Sequence, residues 1–573
     1  MAAVRGRALV AGHARGRLAW APLGLSFWGG VDPASGRVID RHHPLHGLEL
    51  AGRILAIPSG RGSCTGSAVL LELLLAGRGP AALVLAEPDE ILSLGAIVAE
   101  ELFGRSLPVV SLGAAAFAAL AECDEIAVAD GWVGTPNSHF AEMEPPDIAE
   151  LQLSVTDQAM LDGAQGKAVQ AAMKILVRMA QLQGARELLD ITQAHIDGCI
   201  YTGPASLAFA QRLVAWGGRV RVPTSLNAVS VDQRRWREQG IDPALGEPAS
   251  ALAEAYVALG CRPTFTCAPY LLDSAPTLGE QVVWAESNAV VFANSVLGAR
   301  TQKYADFLDI CTALTGRAPR AGCHLDSGRR AAKVFRVSMP AGHDDAVYPL
   351  LGYWIGLRSP TRTPAVLGLE HAQPSRDDLK AFGAAFATTS AAPLFHLVGV
   401  TPEAPTLAAV AAPELEVEDI ELADLRRAWA ELDSATACEV QLVALGNPHF
   451  SAEECQRLAE LCRGRYKHPG VALVITLGRD VREAAGRNGS LAELEAFGAQ
   501  LVGDTCWCML GEPLVPPQAL TLLTNSGKFA HYGPGLTGRE LRFAGLAACV
   551  EAACTGLAPA GPPAWLASAD LSS

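Results

Sequence analysis

Residues 54–74, ILAIPSGRGSCTGSAVLLELL, join two apolar runs through a turn of small and hydroxylated residues. The first run is short and continuous, as in a buried strand, and the second has the length of a buried helix. Gly60, Gly62 and Gly66 allow the backbone to approach another group closely, and Ser67 is placed to cap the helix. A strand–loop–helix unit of this kind predicts an α/β fold.

The same turn also carries candidate chemistry. Ser63 lies among the glycines, with Arg61 two residues before it. A helix N-terminus binds anions, and an arginine could bind a carboxylate or favour an ionised serine. The alternative is a tight turn that leads into a helix and binds no ligand. No Gly-Lys-Ser/Thr follows, which excludes a Walker phosphate loop.

Composition restricts the class of protein. The chain has 573 residues, enough for two to four domains of about 150 residues each. Half of the residues are hydrophobic and 18% are charged, which argues against disorder. The net charge of −15 repels nucleic acid and anionic membranes. We therefore expect a small molecule or another protein subunit as the partner.

Neither a membrane span nor a signal peptide is predicted. The best candidate span, residues 67–86, is interrupted by Glu72, Arg78 and Pro80. The first twenty residues mix arginines among apolar residues, unlike a signal peptide. A cytoplasmic location is expected, in which the 14 cysteines stay reduced.

The chain divides into two parts. In residues 1–135, the runs GRILAIP, AALVLAE, LPVVSLG and DEIAVAD predict four strands, with helices at residues 66–76 and 89–103. Residues 136–153, rich in proline and polar residues, are the predicted linker. Residues 154–573 form the larger region, with a soft boundary between two lobes near residues 374–413. The apolar spacing of residues 154–185 predicts one long amphipathic helix.

Six apolar runs in the larger region adjoin polar loops, as in α/β proteins whose chemistry lies at strand ends. They are VPTSLNAVSVD, AVVFANSVLGA, LFHLVGVTPEAP, VQLVALGNPHFS, VALVITLG and QALTLLTNSGK. Any single polar residue in such loops is most often a cap or a satisfied core group. Together they predict a polar pocket. The candidate binding residues are His195, Thr224, Asn227, Ser287, Asn288, Ser526 and Lys528, and the same loops also offer Asp197, Glu286, Asn447, His449 and His531.

Cysteines also occur at the ends of apolar runs. Cys261 and Cys267 lie in CRPTFTCAPY, and Cys506 and Cys508 lie in GDTCWCML. The chain contains no Cys-x2-Cys, which argues against a structural zinc site and a ferredoxin-type site. A ligand set gathered from distant loops and a set of inert buried thiols both stay open.

Taken together, these loops resemble the aconitase X family, a divergent branch of the aconitase superfamily. The resemblance runs from about residue 29 to about residue 553. It is carried by GGVDPASGRVIDRHHPLHG, IPSGRGSCTGS, QAHIDG, VPTSLNA, GCRPTFTCAPY, WAESNAVVFANSVLGARTQKYADFLDICTALTGRAP, LGNPHFS, DTC and TNSGKFAHYGPGL. The family also occurs as separate small and large subunits, and the fused order here resembles its bacterial single-chain type.

The resemblance implies an N-terminal swivelling β/β/α domain fused to a larger, multi-lobed, three-layer α/β/α catalytic region. For the single-chain type it implies a hydro-lyase that dehydrates cis-3-hydroxy-L-proline to pyrroline-2-carboxylate. The two-subunit type implies mevalonate 5-phosphate as substrate. The alternatives are therefore a dehydratase of another hydroxy acid, or an iron-binding sensor that has lost catalysis.

The resemblance also implies site residues and a cofactor. Ser63 corresponds to the family's proton acceptor, and we expect Arg61 to assist it. Two cluster ligands correspond to Cys267 and Cys506. The third position holds Asn447 where the two-subunit enzymes have cysteine, and an amide oxygen is a poorer iron donor than a thiolate. A 2Fe–2S cluster is thus favoured over 3Fe–4S and 4Fe–4S.

Two points stay open after this comparison of motifs. Cys508 or His449 could replace Asn447 as the third ligand. The substrate is expected to be a hydroxyproline-like amino acid, and the chain could be a monomer or a homo-oligomer.

Overall fold

The computed structural model describes residues 3–40, 43–61, 63–138 and 151–567. Most of the predicted linker, residues 139–150, lies outside the described residues. The described residues form five sheets of different sizes, and three of them consist wholly of parallel strands. Among the described residues, no helix is long and apolar enough to cross a membrane.

The N-terminal domain is one eight-stranded sheet in the order β1-β8-β7-β3-β4-β5-β6-β2. Strands β3 to β6 run parallel, and the outer strands pair antiparallel. The strands are β1 Val4–Arg5, β2 Arg7–Val10, β3 His13–Trp20, β4 Ile54–Ile57, β5 Ala82–Leu85, β6 Val109–Ser111, β7 Glu125–Ala129 and β8 Trp132–Gly134. The helices are α1 Gly66–Leu75, α2 Glu90–Phe103 and α3 Ala114–Ala118, with a 3-10 turn at Ala119–Glu122.

The four predicted strands of this domain are confirmed as β4, β5, β6 and β7, and both predicted helices form. The sequence missed the mixed polar strands β1, β2, β3 and β8. The predicted capping role of Ser67 is wrong. Thr65 holds the N-cap position of α1 without a side-chain cap, and the Ser67 hydroxyl instead donates to the Asp306 carbonyl at 3.1 Å.

The next unit holds a parallel three-stranded sheet, β11-β10-β12, and an antiparallel pair, β13-β9. Its helices are α4 Val155–Leu161, α5 Lys167–Leu182, α6 Pro204–Ala215, α7 Pro243–Ala258, α8 Ser287–Phe292 and α9 Leu308–Thr315. Its strands are β9 Leu188–Asp190, β10 Ala194–Ile196, β11 Thr224–Leu226, β12 Val283–Trp284 and β13 Arg317–Pro319. Short 3-10 turns occupy Pro269–Leu271, Gly322–His324 and Asp326–Arg329, and a π-helix occupies Ala293–Leu297.

Two sequence expectations for this unit need correction. The single long helix predicted over residues 154–185 is wrong, because Gly163 and Gly166 adopt φ of +88° and +96° and separate α4 from α5. The apolar run AVVFANSVLGA adjoins a polar loop as expected, but it forms α8 and the π-helix rather than a strand.

The third unit is a parallel four-stranded sheet in the order β16-β15-β14-β17. The predicted soft boundary at residues 374–413 falls inside this unit and contains one of its strands. The strands are β14 Lys333–Val337, β15 Pro364–Leu367, β16 His396–Leu397 and β17 Val417–Ile420. The helices are α10 Val347–Arg358, α11 Arg376–Thr389, α12 Leu407–Val410 and α13 Leu422–Leu432.

The last unit is a parallel five-stranded sheet in the order β20-β19-β18-β21-β22. The strand order reverses beside β18, and ligands in such sheets bind outside the carboxyl ends of the strands at that point. The strands are β18 Leu442–Phe450, β19 Ala472–Leu477, β20 Ala499–Val502, β21 Thr521–Thr524 and β22 Glu540–Phe543. The helices are α14 Ala452–Cys462, α15 Arg479–Arg487, α16 Ser490–Phe497, α17 Gly527–Thr537, α18 Leu546–Thr555 and α19 Ala564–Ala567.

The N-terminal domain shares a hydrophobic core with the unit that follows it. Helix α1 of the first packs on α6 of the second. At this seam the Glu72 carboxylate accepts the backbone N–H of Ala205 at 2.8 Å, in the first turn of α6. A Cβ at Gly203 would lie 2.4 Å from the same carboxylate, so only glycine allows this approach.

Candidate active site

One cavity is lined by residues from all four parts of the chain. We call it the shared cavity. It contains seven of the twelve candidate site residues: Ser63, Asn227, Cys267, Ser287, Asn288, Cys506 and Lys528. The other lining residues are Trp28, Thr65, Asp197, Ile200, Glu286, Ala384, Ala387, Thr388, Cys508, Met509 and Tyr532.

The turn between β4 and α1 carries Ser63 to the cavity. The N–H of Gly60 donates to Asp89 at 2.7 Å, and a Cβ on Gly60 would meet that carboxylate oxygen at 2.7 Å. The Ser63 hydroxyl accepts the Thr65 N–H at 3.2 Å and donates to the Thr65 hydroxyl at 3.2 Å. Ser63 is thereby held just before the N-terminus of α1, where backbone N–H groups favour negative charge.

Arg61 lies on the outer side of the same turn. Its guanidinium pairs with Asp40 at 2.7 Å, and 44% of its side chain is exposed. Its backbone N–H donates to the Leu25 carbonyl at 3.3 Å. The described residues show no hydrogen bond between Arg61 and Ser63, and Arg61 does not line the shared cavity. Arg61 therefore braces the turn from outside.

Three thiols meet at one wall of the cavity. The sulfur of Cys506 is within hydrogen-bonding reach of the sulfurs of Cys267 and Cys508. Asn447, one of the predicted ligands, lies behind them and donates to the Cys508 sulfur at 3.2 Å. Within the described ranges, these thiols and the other His, Cys, Asp and Glu side chains form no group of three that is spaced to hold a single metal ion.

His449 supports this wall through its backbone. Its N–H donates to the Cys267 sulfur at 3.3 Å. One ring nitrogen contacts the Thr266 hydroxyl at 3.1 Å, and the other contacts the Thr505 carbonyl at 2.7 Å. Both ring nitrogens are therefore occupied in this arrangement.

The loop that carries Cys506 is fixed by a buried ion pair. Arg479 donates two hydrogen bonds to Asp504, at 2.6 and 2.7 Å. Asp504 adopts φ of +63°, and its carbonyl accepts the Val229 N–H at 2.7 Å. The two parallel hydrogen bonds from Arg479 to one carboxylate need the planar guanidinium of an arginine. Asp504 joins the last sheet to the loop after β11.

A second ion pair forms the polar wall. The Lys528 ammonium donates to Glu286 at 2.7 Å, and the side chains are 16% and 6% exposed. Glu286 also caps α8 by accepting the Ala289 N–H at 2.9 Å and takes a hydrogen bond from Asn288. Burial lowers the pKa of Lys528, but the charge of Glu286 and the nearby thiols outweigh this and raise it well above its usual value.

Three predicted binding residues lie away from the cavity. His195 is fully buried within β10, its Nδ1 contacts the Ser225 hydroxyl at 2.8 Å, and burial lowers its pKa to about 3. Thr224 begins β11 and donates to the Val222 carbonyl at 2.8 Å. The Ser526 hydroxyl caps α17 by accepting the Phe529 N–H at 3.1 Å. The cavity lies beyond the carboxyl ends of β10 and β11, where Asp197 and Asn227 follow.

The sequence reasoning missed Trp28, Thr65, Met509 and Tyr532 as lining residues. Tyr532 had a usable signal, since it follows Lys528 by four residues and therefore shares its face of α17. The other three carried no periodicity that would have placed them here.

Comparison with known proteins gives the family. Four family models, described as the swivel, first, second and third domains of aconitase X, match residues 3–134, 150–327, 331–430 and 440–555. The chain belongs to the aconitase X family. The prediction of a swivelling domain fused to a larger α/β catalytic region is thereby confirmed.

Two relatives within the aconitase X family match nearly the whole length of the chain. A cis-3-hydroxy-L-proline dehydratase of Pseudomonas aeruginosa is 61% identical over 98% of both chains. One of Hypocrea jecorina is 54% identical over 98% of this chain and 97% of its own. The crystal structure of holo aconitase X from Thermococcus kodakaraensis covers 70% of this chain and 100% of its own, at 30% identity and a TM-score of 0.64.

Proposed function

We propose that this protein is a hydro-lyase that dehydrates cis-3-hydroxy-L-proline to pyrroline-2-carboxylate. The observation that carries the proposal is the meeting of Ser63 with Cys267 and Cys506 in the shared cavity. The names of the two full-length relatives support the substrate. We also propose that the swivelling domain ends near residue 135 and that the catalytic region begins near residue 154.

The reaction needs a base for the α-proton and assistance for a poor leaving group. In the cis isomer, the hydroxyl lies on the carboxylate's face of the ring, so the α-hydrogen lies on the opposite face. Anti elimination therefore requires the two catalytic groups on opposite sides of the ring. Ser63 belongs to the swivelling domain and the thiol wall to the catalytic region, so two separate structures can meet this requirement.

Ser63 acts as the base in this proposal. A serine hydroxyl is a weak acid, so its surroundings must stabilise the anion by several kcal/mol. The Thr65 N–H at 3.2 Å and the N-terminus of α1 are the groups placed to do so. Arg61 pairs with Asp40, and its proposed help to Ser63 is to hold the turn.

Lys528 is the proposed partner of the substrate carboxylate. It is the cation among the described lining residues, and it already faces Glu286. One paired ammonium suits a single carboxylate. The single-chain order of domains, which the two full-length relatives share, disfavours mevalonate 5-phosphate as the substrate.

The thiol wall suits an iron-containing group in the chemistry of its donors. Cys267 and Cys506 supply soft sulfur ligands, and Asn447 or Cys508 is the third donor. We favour a 2Fe–2S cluster because a third thiolate is missing at Asn447. When bound, such a group supplies a Lewis acid for the leaving hydroxyl.

The test uses anaerobically purified protein with its natural metal content. The cis and trans isomers of 3-hydroxy-L-proline are each incubated with it, and o-aminobenzaldehyde then reports the pyrroline product by colour. We expect colour with the cis isomer. An absence of colour with both isomers would reject the proposal in favour of another hydroxy acid or a sensor without catalysis. Iron and sulfide counts on the same sample test the cluster.

A further inference from the structure

Asp197 is a cavity residue to which the proposed function has assigned no role. It follows β10 directly, lines the shared cavity and is 3% exposed. The N–H groups of Asp197 and Gly198 donate to Asp309 at 2.8 and 3.1 Å, which fixes the loop. The Asn227 side chain donates to one carboxyl oxygen. In the described part of the chain, no hydrogen bond reaches the other oxygen.

The surroundings of this carboxyl favour its neutral form. Burial, followed by the charges of Glu286 and Asp309, raises the pKa of Asp197 to about 8. Lys528 and the hydrogen bond from Asn227 act in the opposite direction but do not cancel the shift. A carboxyl that keeps its proton at neutral pH can donate that proton to a substrate oxygen.

Departure of the 3-hydroxyl as water needs a proton in addition to the Lewis acid that the iron-containing group would supply. Ser63 accepts a proton in the proposed mechanism, and Lys528 is held by Glu286. Neither is free to protonate the departing hydroxyl. Tyr532 is disfavoured as the donor, because burial raises its pKa to about 12.

We propose that Asp197 donates the proton with which the 3-hydroxyl leaves as water; this inference rests on the proposed function. Ser63 takes the α-proton, the electrons of that C–H bond form the Cα–C3 double bond, and the C3–O bond breaks with its electron pair on oxygen. Oxygen then takes the proton of Asp197. The enzyme is left with a carboxylate and a serine hydroxyl, and transfer of one proton between them through solvent restores both.

The test compares leaving groups in the Asp197→Asn variant. The amide keeps the shape and the oxygen that accepts from Asn227, but it has no acidic proton. We expect turnover of cis-3-hydroxy-L-proline to fall by about 10²–10⁴-fold, the usual contribution of a general acid. Chloride leaves without a proton, so turnover of the cis-3-chloro analogue is expected to stay within about threefold of wild type. Iron content and melting temperature verify that the variant is folded.

Asp345→Asn is the matched control, since burial also raises the pKa of Asp345 but Asp345 does not line the cavity. It should keep turnover of both substrates. If Asp197→Asn turns over hydroxyproline at a near wild-type rate, or loses activity on both substrates equally, the role of Asp197 is wrong. The proposed function is unaffected by either result. A wild-type enzyme inactive on hydroxyproline would overturn the proposed function and this role with it.

Discussion

Replacing Lys528 with methionine should destabilise the protein strongly, because it leaves a charge buried without its partner. The Lys528 ammonium lies 2.7 Å from Glu286, whose side chain is only 6% exposed. Breaking a buried ion pair by removing one member costs about 3–5 kcal/mol. Since about 1 kcal/mol shifts the melting temperature of a domain of about 200 residues by about 3 °C, we expect a fall of about 10 °C.

The double variant Lys528→Met, Glu286→Gln separates charge from packing. Its neutral pair should recover at least about half of the lost stability, because a buried ion pair is often replaceable by neutral groups. Differential scanning fluorimetry of the two single variants, the double variant and wild type gives the cycle.

The matched control is Arg463→Met, which breaks a pair of similar length, 3.0 Å, between side chains that are 64% and 43% exposed. An exposed pair of this kind is worth about 1 kcal/mol or less. The reasoning is refuted if Lys528→Met melts within about 2 °C of wild type, or if the double variant is no more stable than the single one.

The remaining predictions concern the base, the thiols and acid stability. Ser63→Ala should abolish turnover and leave the visible cluster absorption intact; retained turnover would remove Ser63 as the base. Cys267→Ser and Cys506→Ser should each lose iron together with activity, and unchanged iron content would reject them as ligands. His195 and His324 titrate near pH 6.5 when unfolded, but burial lowers the pKa of each to about 3. As the pH falls, these histidines take up protons in the unfolded chain at a higher pH than in the folded one. The stability that the two neutral histidines contribute is therefore full above pH 6.5 and is lost as the pH falls towards 3. At pH 4.5 the loss is about 2–3 kcal/mol for each histidine, which melting curves from pH 7 to 4.5 would detect.

Features set by local sequence were predictable. The uninterrupted apolar run of β19 is typical of a strand covered on both faces, and the glycine-rich turn with Ser63 was recognisable from residue type alone. Positions directly after strands were also informative, as Asn227 shows. Each of these depends on a few neighbouring residues.

Features that depend on the direction of a strand in its sheet, or on contacts between separate segments, were not predictable. Thr224 and Asn227 lie three residues apart, but β11 runs between them, and one sequence does not say which end of the sheet faces the cavity. Arg61 was predicted to assist Ser63, but its guanidinium pairs with Asp40, on a loop outside the turn.

The Glu72 carboxylate matters for anyone who would exchange parts between members of this family. It accepts the backbone N–H of Ala205 at the start of α6, across the seam between the two domains. It also lies where a Cβ at Gly203 would be. A transplanted swivelling domain without an acid at that position would bury an amide N–H that has nothing to bond. Where the two parts are separate polypeptides, we expect subunits that carry both the acid and the glycine to associate normally. Hybrids that carry only one of the two should associate more weakly.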